Sequence, residues 1–203
     1  MKIIDQSWKW LQKPVKPLEM AELAGRTCYK SEDRITEGSA KKFIGMIVKL
    51  GHETVIEHVS ASVRFVTNRG VTHELVRHRI ASYSQESTRY VRYSGELEFI
   101  KPVWFDDADY SEDQKKNWQD SMEQAEKFYL KALETGDKPE QAREILPNSL
   151  KTEIVWKANI REWRHIFNLR CSKAAHPQMR ALMLPLLKEL KEKLPIVFDD
   201  IKS

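Results

Sequence analysis

The sequence is poor in the residues on which the commonest cofactor-binding and cross-linking motifs depend. Its 203 residues include only two cysteines, Cys28 and Cys171, too few for a disulfide framework or, alone, for a zinc site. The 7 glycines are scattered, and neither of the phosphate-binding patterns G-x-G-x-x-G and G-x-x-x-x-G-K-[ST] occurs. A nucleotide bound by this chain must therefore be held by other groups, such as arginines and helix termini.

Long apolar runs and a strong excess of one charge are missing as well. No segment approaches the roughly 20 apolar residues of a membrane helix, and the first residues lack the apolar stretch of a signal peptide. We therefore expect a cytoplasmic protein with no membrane partner. The net charge of +4 permits anionic ligands without requiring nucleic acid. The length and the 41% content of hydrophobic residues favour one domain over residues 1–203.

Hydrophobic periodicity predicts helices and strands that alternate irregularly. The predicted helices are Leu18–Tyr29, Ser39–Leu50, Val71–Arg79, a long one between Ser111 and Gly136, a short one from Pro139, Ile160–Cys171 and Gln178–Leu194. The predicted strands are Val59–Val66, Thr88–Tyr93, Leu97–Val103 and Thr152–Ala158, with Trp10–Pro17 as a connector and Ala81–Ser87 as a turn-like loop. The order lacks a regular βαβ rhythm, so we expect an α+β fold, a mixed sheet with flanking helices.

Polar chemistry is concentrated between His73 and Tyr93, which holds four arginines, two histidines, three tyrosines and three serines. A basic triplet such as Arg77-His78-Arg79 at a helix C-terminus can simply be solvated. On a helix, however, residues 77 and 79 would lie about 200° apart, so we expect one of these arginines to point inward or into a cleft. Forked guanidinium donors beside hydroxyl groups suit phosphates and planar carbonyl ligands.

Two further clusters contain histidine. His52 and His58 are six residues apart and would diverge by about 120° on a helix, so no metal site is expected there, and a core or capping role for His58 is the alternative. On the predicted helix after Asn159, three polar residues share one face and four apolar residues can form a buried stripe. They are Arg161, His165 and Asn168 on the polar face, and Ile160, Trp163, Phe167 and Cys171 on the apolar one. Taken alone, that polar face is interpreted as solvated.

Five short segments follow one another along the chain in a distinctive order. They are Gly51-His-Glu-Thr-x-x-Glu-His58, Arg77-His-Arg79 with Ser87 after seven residues, Ser87-x-Arg-Tyr90, Ala142-Arg-x-x-Leu-Pro147, and Asn159-x-Arg161 with Asn168-Leu-Arg170. Together they resemble the signature of the flavin-dependent thymidylate synthases, and the resemblance extends from about Ala24 to Ala181.

The resemblance implies an FAD-binding homotetramer in which each active site is built from more than one subunit. It also implies NADPH as reductant, 5,10-methylenetetrahydrofolate as one-carbon donor, and dUMP as the substrate that becomes dTMP. Flavin carries the hydride in such an enzyme, while the protein supplies orientation and electrostatics. An arginine at the carbonyl edge of uracil would stabilise the charge that develops when C5 acts as the nucleophile.

Residues at positions that match the family motifs are expected to have the roles that the resemblance implies. Those resembling flavin contacts are Thr54, Glu57, Arg77, His78, Arg79, Asn159, Arg161 and His165. Those resembling nucleotide contacts are Glu74, Gln85, Ser87, Arg89, Arg143 and Arg170, with Tyr90 helping to shape the pocket and His52 at the flavin and folate face. The chain departs from the family pattern at three positions. Glu74 stands where a Gln is often found, Cys28 stands where some members have Ser, and Gln85 stands where some members have Glu.

No side chain is expected to attack uracil covalently. Cys28 is predicted on an apolar helical stripe, and Cys171 faces toward Phe167 and Trp163, which suggests burial despite the neighbouring arginine. The Ser87 hydroxyl would need an adjacent base, which Glu86 could provide if the loop folded back. We therefore expect Ser87, Arg170 and His52 to bind and orient the reactants.

Two other functions fit parts of the pattern. Arginines that alternate with tyrosines between residues 77 and 93 are typical of single-strand nucleic-acid binders, but acids spread through the chain argue against this and no nucleic-acid partner is expected. A purely structural oligomer would not need so many polar groups in that segment.

Overall fold

In a computed structural model, residues 1–202 are described, so of the chain only Ser203 lies outside the described residues. The strands are β1 (Lys2–Ile4), β2 (Ser7–Gln12), β3 (Ser60–Asn68), β4 (Ala81–Gln85), β5 (Glu98–Ile100) and β6 (Lys151–Asn159). The α-helices are α1 (Pro17–Cys28), α2 (Ser39–Lys49), α3 (Arg69–Leu75), α4 (Glu112–Glu134), α5 (Pro139–Ala142), α6 (Ile160–Arg170) and α7 (Pro177–Lys193). Short 3-10 helices lie at Glu32–Arg34, Glu53–His58, Val103–Asp106 and Arg143–Ile145.

The strands form two sheets. Four of them hydrogen-bond in the order β2-β3-β6-β4, while β1 pairs in parallel with β5, with Ile3 opposite Phe99. Strands and helices are intermixed along the chain, which confirms the expected combination of helices and sheet. In the described part of the chain, no helix is long and apolar enough to cross a membrane.

The chain divides into two compact units. Unit 1 comprises residues 1–9, 64–77 and 83–155, and unit 2 comprises residues 10–63, 78–82 and 156–203. In unit 1, buried side chains from β5, α4 and the residue that precedes β6 form a core, in which Phe99 and Tyr129 are fully buried. In unit 2, the ring of Phe167 stacks on Trp163 and meets Phe198 edge-on. Both cores rest on aromatic burial, the largest contribution a single side chain can make.

Local chemistry explains where the long elements begin. Ser111 and Gln114 exchange side-chain and backbone hydrogen bonds, which is the predicted capping box and starts α4 at the next residue. Gly25 of α1 lies so close to α2 that an added Cβ would stand 2.5 Å from the Phe43 ring, so a larger residue would separate the two helices. The bounds of α1, α2, α4, α6 and α7 agree with the predictions to within one or two residues.

Short elements were predicted less well. The segment predicted as the strand Thr88–Tyr93 is a turn followed by irregular chain, whereas Ala81–Gln85, predicted as a loop, is strand β4. The strand was missed because its residues are mostly small and polar, with no β-branched side chain, and its pairing with β6 is what defines it. The connector predicted from Trp10 begins inside strand β2, and β5 is shorter than the predicted strand.

The predicted apolar stripe of α1 is wrong by about one residue. Cys28 and Leu23 are exposed, whereas Ala21, Glu22 and Gly25 are buried. Glu22 can occupy a buried position because it is paired with the guanidinium of Arg26. The buried face of α1 thus contains a glutamate paired with an arginine, while the leucine next to it is exposed. The spacing of apolar residues cannot reveal a buried charged residue of this kind.

Candidate functional site

The residues expected to bind ligands fall into two sets, one in each unit. Unit 1 contains Glu74, Arg77, Gln85, Ser87, Arg89 and Arg143. Unit 2 contains His52, Thr54, Glu57, His78, Arg79, Asn159, Arg161, His165 and Arg170. Most of the expected nucleotide contacts thus belong to unit 1 and most of the expected flavin contacts to unit 2, with Arg77 and Arg170 as the exceptions.

In unit 2, helix α6 presents the predicted polar face. Arg161, His165 and Asn168 are exposed along one side, and the apolar stripe from Ile160 to Cys171 is buried, as its spacing predicted. Arg161 donates a hydrogen bond of 2.6 Å to Glu57 and lies 3.6 Å from Glu53. That bond to Glu57 raises the pKa of the Arg161 guanidinium. Two residues expected at the flavin are therefore brought together, and an anionic ligand would compete with the Glu57 carboxylate for the arginine.

Asn159 marks the start of this helix and is its N-cap. Its side-chain oxygen accepts a hydrogen bond of 2.8 Å from the backbone N–H of Glu162, so the amide nitrogen is the end of the group that can donate to a ligand. The same residue lines a cavity of about 300 Å³ with Ser60, Ile80, Ser82 and Lys157. Thr54 is exposed on the 3-10 helix that also carries Glu57.

The Arg77-His78-Arg79 triplet does not behave as predicted. Helix α3 ends at Leu75, so the triplet is not helical, and both arginines are exposed while His78 is buried. In such a non-helical chain, alternate side chains point to opposite sides, which places residues 77 and 79 outside and residue 78 inside. Of the two alternatives expected for one arginine, pointing inward is therefore wrong, because both arginines are exposed, and pointing into a cleft stays a prediction.

The buried His78 is held between two partners in unit 2. Its Nε2 accepts a hydrogen bond of 3.0 Å from Nε of Arg170, and its Nδ1 lies 3.5 Å from Oε1 of Glu162. The His165 ring lies edge-on, with ring centroids 5.6 Å apart. Burial, followed by the charges of Arg170 and His165, lowers the pKa of His78 to about 4. Burial also raises the pKa of Glu162, although the charge of His165 acts in the opposite direction.

His78, Glu162 and His165 also bring three potential metal-ligand atoms within 4.8 Å of one another. A metal on Nδ1 of His78 would require the ring proton to sit on Nε2. That proton would point at the Nε–H of Arg170, which is already donated to the same nitrogen. A metal would therefore have to displace the arginine and bind beside its charge, which disfavours this triad as a metal centre.

His52 lies on the wall of a cleft between α1 and α2. The cleft has a volume of about 440 Å³, within the range of small-molecule sites. Its other lining side chains include Arg26, Tyr29, Lys30, Arg34 and Phe43. The Arg26 guanidinium lies 4.3 Å from the centroid of the Phe43 ring. The cleft combines an aromatic surface with cationic groups and so suits a ring-bearing anion. His58 is exposed, which excludes the core role considered for it.

In unit 1, Gln85 is fixed in one orientation. Its Nε2 donates to the hydroxyl of Thr72 at 2.9 Å and lies 3.3 Å from that of Thr152. The Thr72 hydroxyl donates its own proton to the carbonyl of Arg69, so it must accept from Gln85. The carbonyl oxygen of Gln85 is therefore the end left to accept from a ligand.

Arg89 and Arg143 are two exposed cations of unit 1. Nε of Arg89 donates to Glu140 at 3.0 Å, and Nε of Arg143 lies 3.5 Å from Glu144. All four side chains are more than 40% exposed. Glu140 stands in α5, which leads directly into Arg143, so the structure brings Arg89 to the segment that carries the second arginine. Both guanidinium groups pair with solvated carboxylates, which a phosphate can replace, and that of Arg89 also lies 5.3 Å from the centroid of the Tyr90 ring.

Ser87 lacks the base that would make it a nucleophile. Its oxygen accepts a hydrogen bond of 3.3 Å from the backbone N–H of Arg89. Glu86, the one base considered for it, instead accepts a bond of 2.5 Å from the hydroxyl of Tyr93 and lies 3.4 Å from Nζ of Lys151. Burial and the Glu86 contact raise the pKa of Tyr93, so its proton stays on the phenol. The loop does not fold back to activate the serine.

The two cysteines differ from one another more than the sequence indicated. Cys171 is fully buried, and burial raises the pKa of its thiol to about 11, which keeps it protonated near neutral pH. Cys28 is exposed at the C-terminal end of α1 rather than buried, and its sulfur lies 3.5 Å from the carbonyl oxygen of Ala24.

Sequence reasoning missed the residues that hold the site together. Thr72 and Thr152 look like ordinary core threonines, and Glu162 looks like a helix-capping acid three residues after Asn159. Their contacts depend on the pairing of distant segments. Only the position of Glu162 directly after Arg161 of the Asn159-x-Arg161 motif could have drawn attention to it.

Comparisons with known proteins show which family the chain resembles. The family described as thymidylate synthase complementing protein matches residues 11–196. The chain is 34% identical over 197 residues to a flavin-dependent thymidylate synthase of Geobacter sulfurreducens, covering 94% of this chain and 84% of that protein. It is 34% identical over 199 residues to the flavin-dependent thymidylate synthase of Corynebacterium glutamicum, covering 90% and 79%.

A solved structure shows the same fold. A UMP/dUMP methylase, PolB, from Streptomyces cacaoi, bound with 5-Br dUMP, superposes with a TM-score of 0.83. The alignment covers 98% of this chain and 96% of that one, at 21% sequence identity. The likeness thus concerns the arrangement of the chain, and it supports the combination of helices and sheet described above.

Proposed function

The chain belongs to the flavin-dependent thymidylate synthase family, and we propose on that basis that it converts dUMP to dTMP. In this proposal, 5,10-methylenetetrahydrofolate donates the carbon, NADPH is the reductant and FAD is the cofactor. The observation that carries it is the nucleotide set of unit 1, in which an oriented Gln85 amide accompanies the exposed Arg89 and Arg143. A fixed carbonyl acceptor suits the N3–H of uracil, and arginines held by exchangeable acids suit the phosphate.

The residues of unit 2 fit a flavin dinucleotide by their chemistry. Arg79 and Arg161 are exposed cations, and Asn159 has an amide nitrogen directed away from its capping bond. These groups supply the donors and charge that a pyrophosphate needs where no glycine loop exists. Arg77, which belongs to unit 1, is proposed as a flavin contact from the family resemblance alone. We propose Thr54, Glu57 and His165 as further contacts to the flavin. The buried His78 is proposed to support the site through its hydrogen bond with Arg170. The chemistry that FAD supplies when bound is hydride transfer.

We propose that the protein contributes orientation and electrostatics rather than a covalent bond to uracil. Arg170 is proposed to contact the nucleotide and stabilise negative charge on the pyrimidine carbonyls. Ser87 binds the nucleotide, and Glu74 lies near it as an acceptor. The protonated Cys171 and the engaged Glu86 support a mechanism with no enzyme nucleophile. His52, with the cationic cleft beside it, is proposed to meet the folate, whose glutamate carboxylates suit Lys30 and Arg34.

Assembly is the remaining part of the proposal. We propose that residues 1–203 act as one domain within a cytoplasmic homotetramer, and that each site takes residues from more than one copy. Light scattering should give four times the chain mass. A monomer that binds FAD and turns over would contradict this.

The activity is tested by measuring dTMP formation in an assay with the purified protein. We expect a yellow protein with the visible absorbance of oxidised flavin, and dTMP that appears only when dUMP, NADPH and the methylene folate are all present. A colourless protein that gains no flavin on incubation with FAD, and forms no dTMP, would contradict the proposal. Binding of single-stranded nucleic acid in place of dUMP would favour the other function considered.

A further inference from the structure

A buried carboxyl group stands among the site residues without belonging to the family motifs described above. Glu162 is 7% exposed, although its neighbours on α6 include the exposed Arg161. Buried acids are uncommon unless a partner compensates their burial. Nδ1 of His78 lies 3.5 Å from its Oε1.

The direction of the hydrogen bonds can be derived from the chemistry of arginine. A guanidinium only donates, so the bond of 3.0 Å from Nε of Arg170 requires a lone pair on Nε2 of His78. A neutral imidazole with a lone pair on Nε2 carries its proton on Nδ1. That nitrogen lies 3.5 Å from Oε1 of Glu162. The guanidinium therefore donates to the imidazole, and the Glu162 carboxyl group is within reach of the N–H on the opposite side of the ring.

We propose that Glu162 is a positioning residue that holds His78 as the Nδ1–H tautomer, so that Nε2 accepts from Arg170 and fixes the guanidinium that binds the nucleotide. The part concerning the nucleotide rests on the function proposed above. Glu162 does not touch the substrate in this arrangement. It acts through the imidazole, whose side chain is only 3% exposed.

An ion pair between the two groups would have a different structure. A protonated His78 carries hydrogens on both nitrogens. The hydrogen on Nε2 would then meet the Nε–H of Arg170, with two positive charges in contact. The observed bond from Arg170 is compatible only with the neutral ring, and burial acts in the same direction by lowering the pKa of the imidazole. Glu162 thus works as an acceptor of a neutral N–H.

The tautomer can be read directly by nitrogen NMR of protein labelled with ¹⁵N-histidine, with the His78 signals assigned by their loss in His78→Gln. We expect the Nδ1–H form at neutral pH in the wild-type protein and in Glu162→Gln, whose amide oxygen also accepts. In Glu162→Ala we expect a mixture or the Nε2–H form. A wild-type His78 that is protonated or carries its proton on Nε2, or an unchanged signal in Glu162→Ala, would overturn the proposal.

The consequence for Arg170 is tested by a double-mutant cycle on dUMP affinity. Because Glu162→Ala leaves a buried N–H without its acceptor, we expect binding to weaken by about tenfold, with Glu162→Gln within about threefold of wild type. In an Arg170→Ala background, Glu162→Ala should add nothing. Equal factors in both backgrounds would mean a merely structural role and would overturn the proposal. Glu192→Ala, an exposed acid on α7, is the control and should leave affinity unchanged.

The NMR experiment and the affinity experiment together separate this inference from the proposed function. A wild-type protein that fails to bind dUMP overturns the proposed function and the role of Arg170 in it, while the NMR arm still decides the Glu162–His78 pairing. Loss of dUMP binding in Arg170→Ala with no effect of Glu162→Ala supports the function and overturns the inference.

Discussion

Arg89 and Arg143 of unit 1 are held differently from Arg164 of unit 2. Arg89 and Arg143 of unit 1 are exposed and paired with exposed acids, an arrangement that contributes about 0–1 kcal/mol to stability. In unit 2, Arg164 is only 8% exposed and makes two hydrogen bonds to Asp200 and one to Glu53. The difference indicates a division of roles. Loosely held arginines can exchange an acid for a ligand phosphate, whereas tightly held ones position the elements that carry a site.

The largest effect is expected where a tightly held cation is removed. Arg164→Ala takes away the shared partner of Asp200 and Glu53, and also a bond to the carbonyl of Val197. Because the two acids keep some contact with water, we expect a loss at the low end for buried pairs, about 3 kcal/mol in the free energy of unfolding. Urea unfolding followed by tryptophan fluorescence measures it.

The matched variant for that experiment is Arg89→Ala in unit 1. Its ion pair is solvated, so the free energy of unfolding should change by less than about 1 kcal/mol. Similar losses in the two variants would remove the distinction between the units.

The nucleotide-binding arginines come next. Arg143→Ala or Arg170→Ala should each weaken dUMP binding by roughly 10- to 150-fold, the range for losing a charge-assisted contact. Flavin absorbance should stay largely intact, because neither residue is assigned to the cofactor. Calorimetry with dUMP and a visible spectrum of the same sample measure both quantities. If either variant strips the flavin and keeps its nucleotide affinity, the assignment of the arginines is wrong.

The buried His78 predicts a dependence of stability on pH. Its pKa is about 4 in the folded chain against 6.5 for an ordinary histidine, so the unfolded chain binds the additional proton first. This contribution to stability is complete above pH 6.5 and is lost as the pH falls toward 4. Between pH 7 and pH 5 we expect a loss of about 2 kcal/mol from this group.

The check is a comparison of slopes at fixed protein concentration. His78→Asn has no titrating ring and should show a smaller loss of unfolding free energy between pH 7 and pH 5 than the wild-type protein. Equal slopes would show that His78 titrates normally in the folded chain.

The smallest effect is expected for the thiols. The double variant Cys28→Ser/Cys171→Ser should retain dTMP formation within about tenfold of wild type, since losing two thiols mainly affects packing at Cys171. Ser87→Ala should be slowed but active. Abolished turnover in a folded, yellow Cys171→Ser protein, or a covalent adduct between Ser87 and uracil in the mass spectrum, would contradict a mechanism without an enzyme nucleophile.

Much of the fold could be predicted because its long elements carry their own signals. Helix α4 has a capping box and a regular stripe that ends in the buried Leu133, and β6 alternates buried Ile154 and Trp156 with polar residues. Strand β4 and the triplet after α3 could not be predicted in this way. Their conformations depend on pairing with β6 and on where a seven-residue helix stops, and neither is a property of the local sequence.

The candidate site shows the same limit. The motifs named the arginines, but their partners were not predictable, because Glu140, Glu162 and Thr152 contact residues 51 to 84 positions away. The exposure of Cys28 was missed for a related reason, since the buried face of α1 includes a paired glutamate.

The division between the two sets is tested most directly by one pair of variants, Arg161→Ala of unit 2 and Arg143→Ala of unit 1. Flavin content and dUMP affinity are measured on both proteins after the same purification. We predict that Arg161→Ala loses flavin, because its guanidinium is the exposed cation beside Glu57, and that Arg143→Ala retains flavin but binds dUMP at least about tenfold more weakly. Full flavin content in Arg161→Ala, together with unchanged dUMP affinity in Arg143→Ala, would contradict this account.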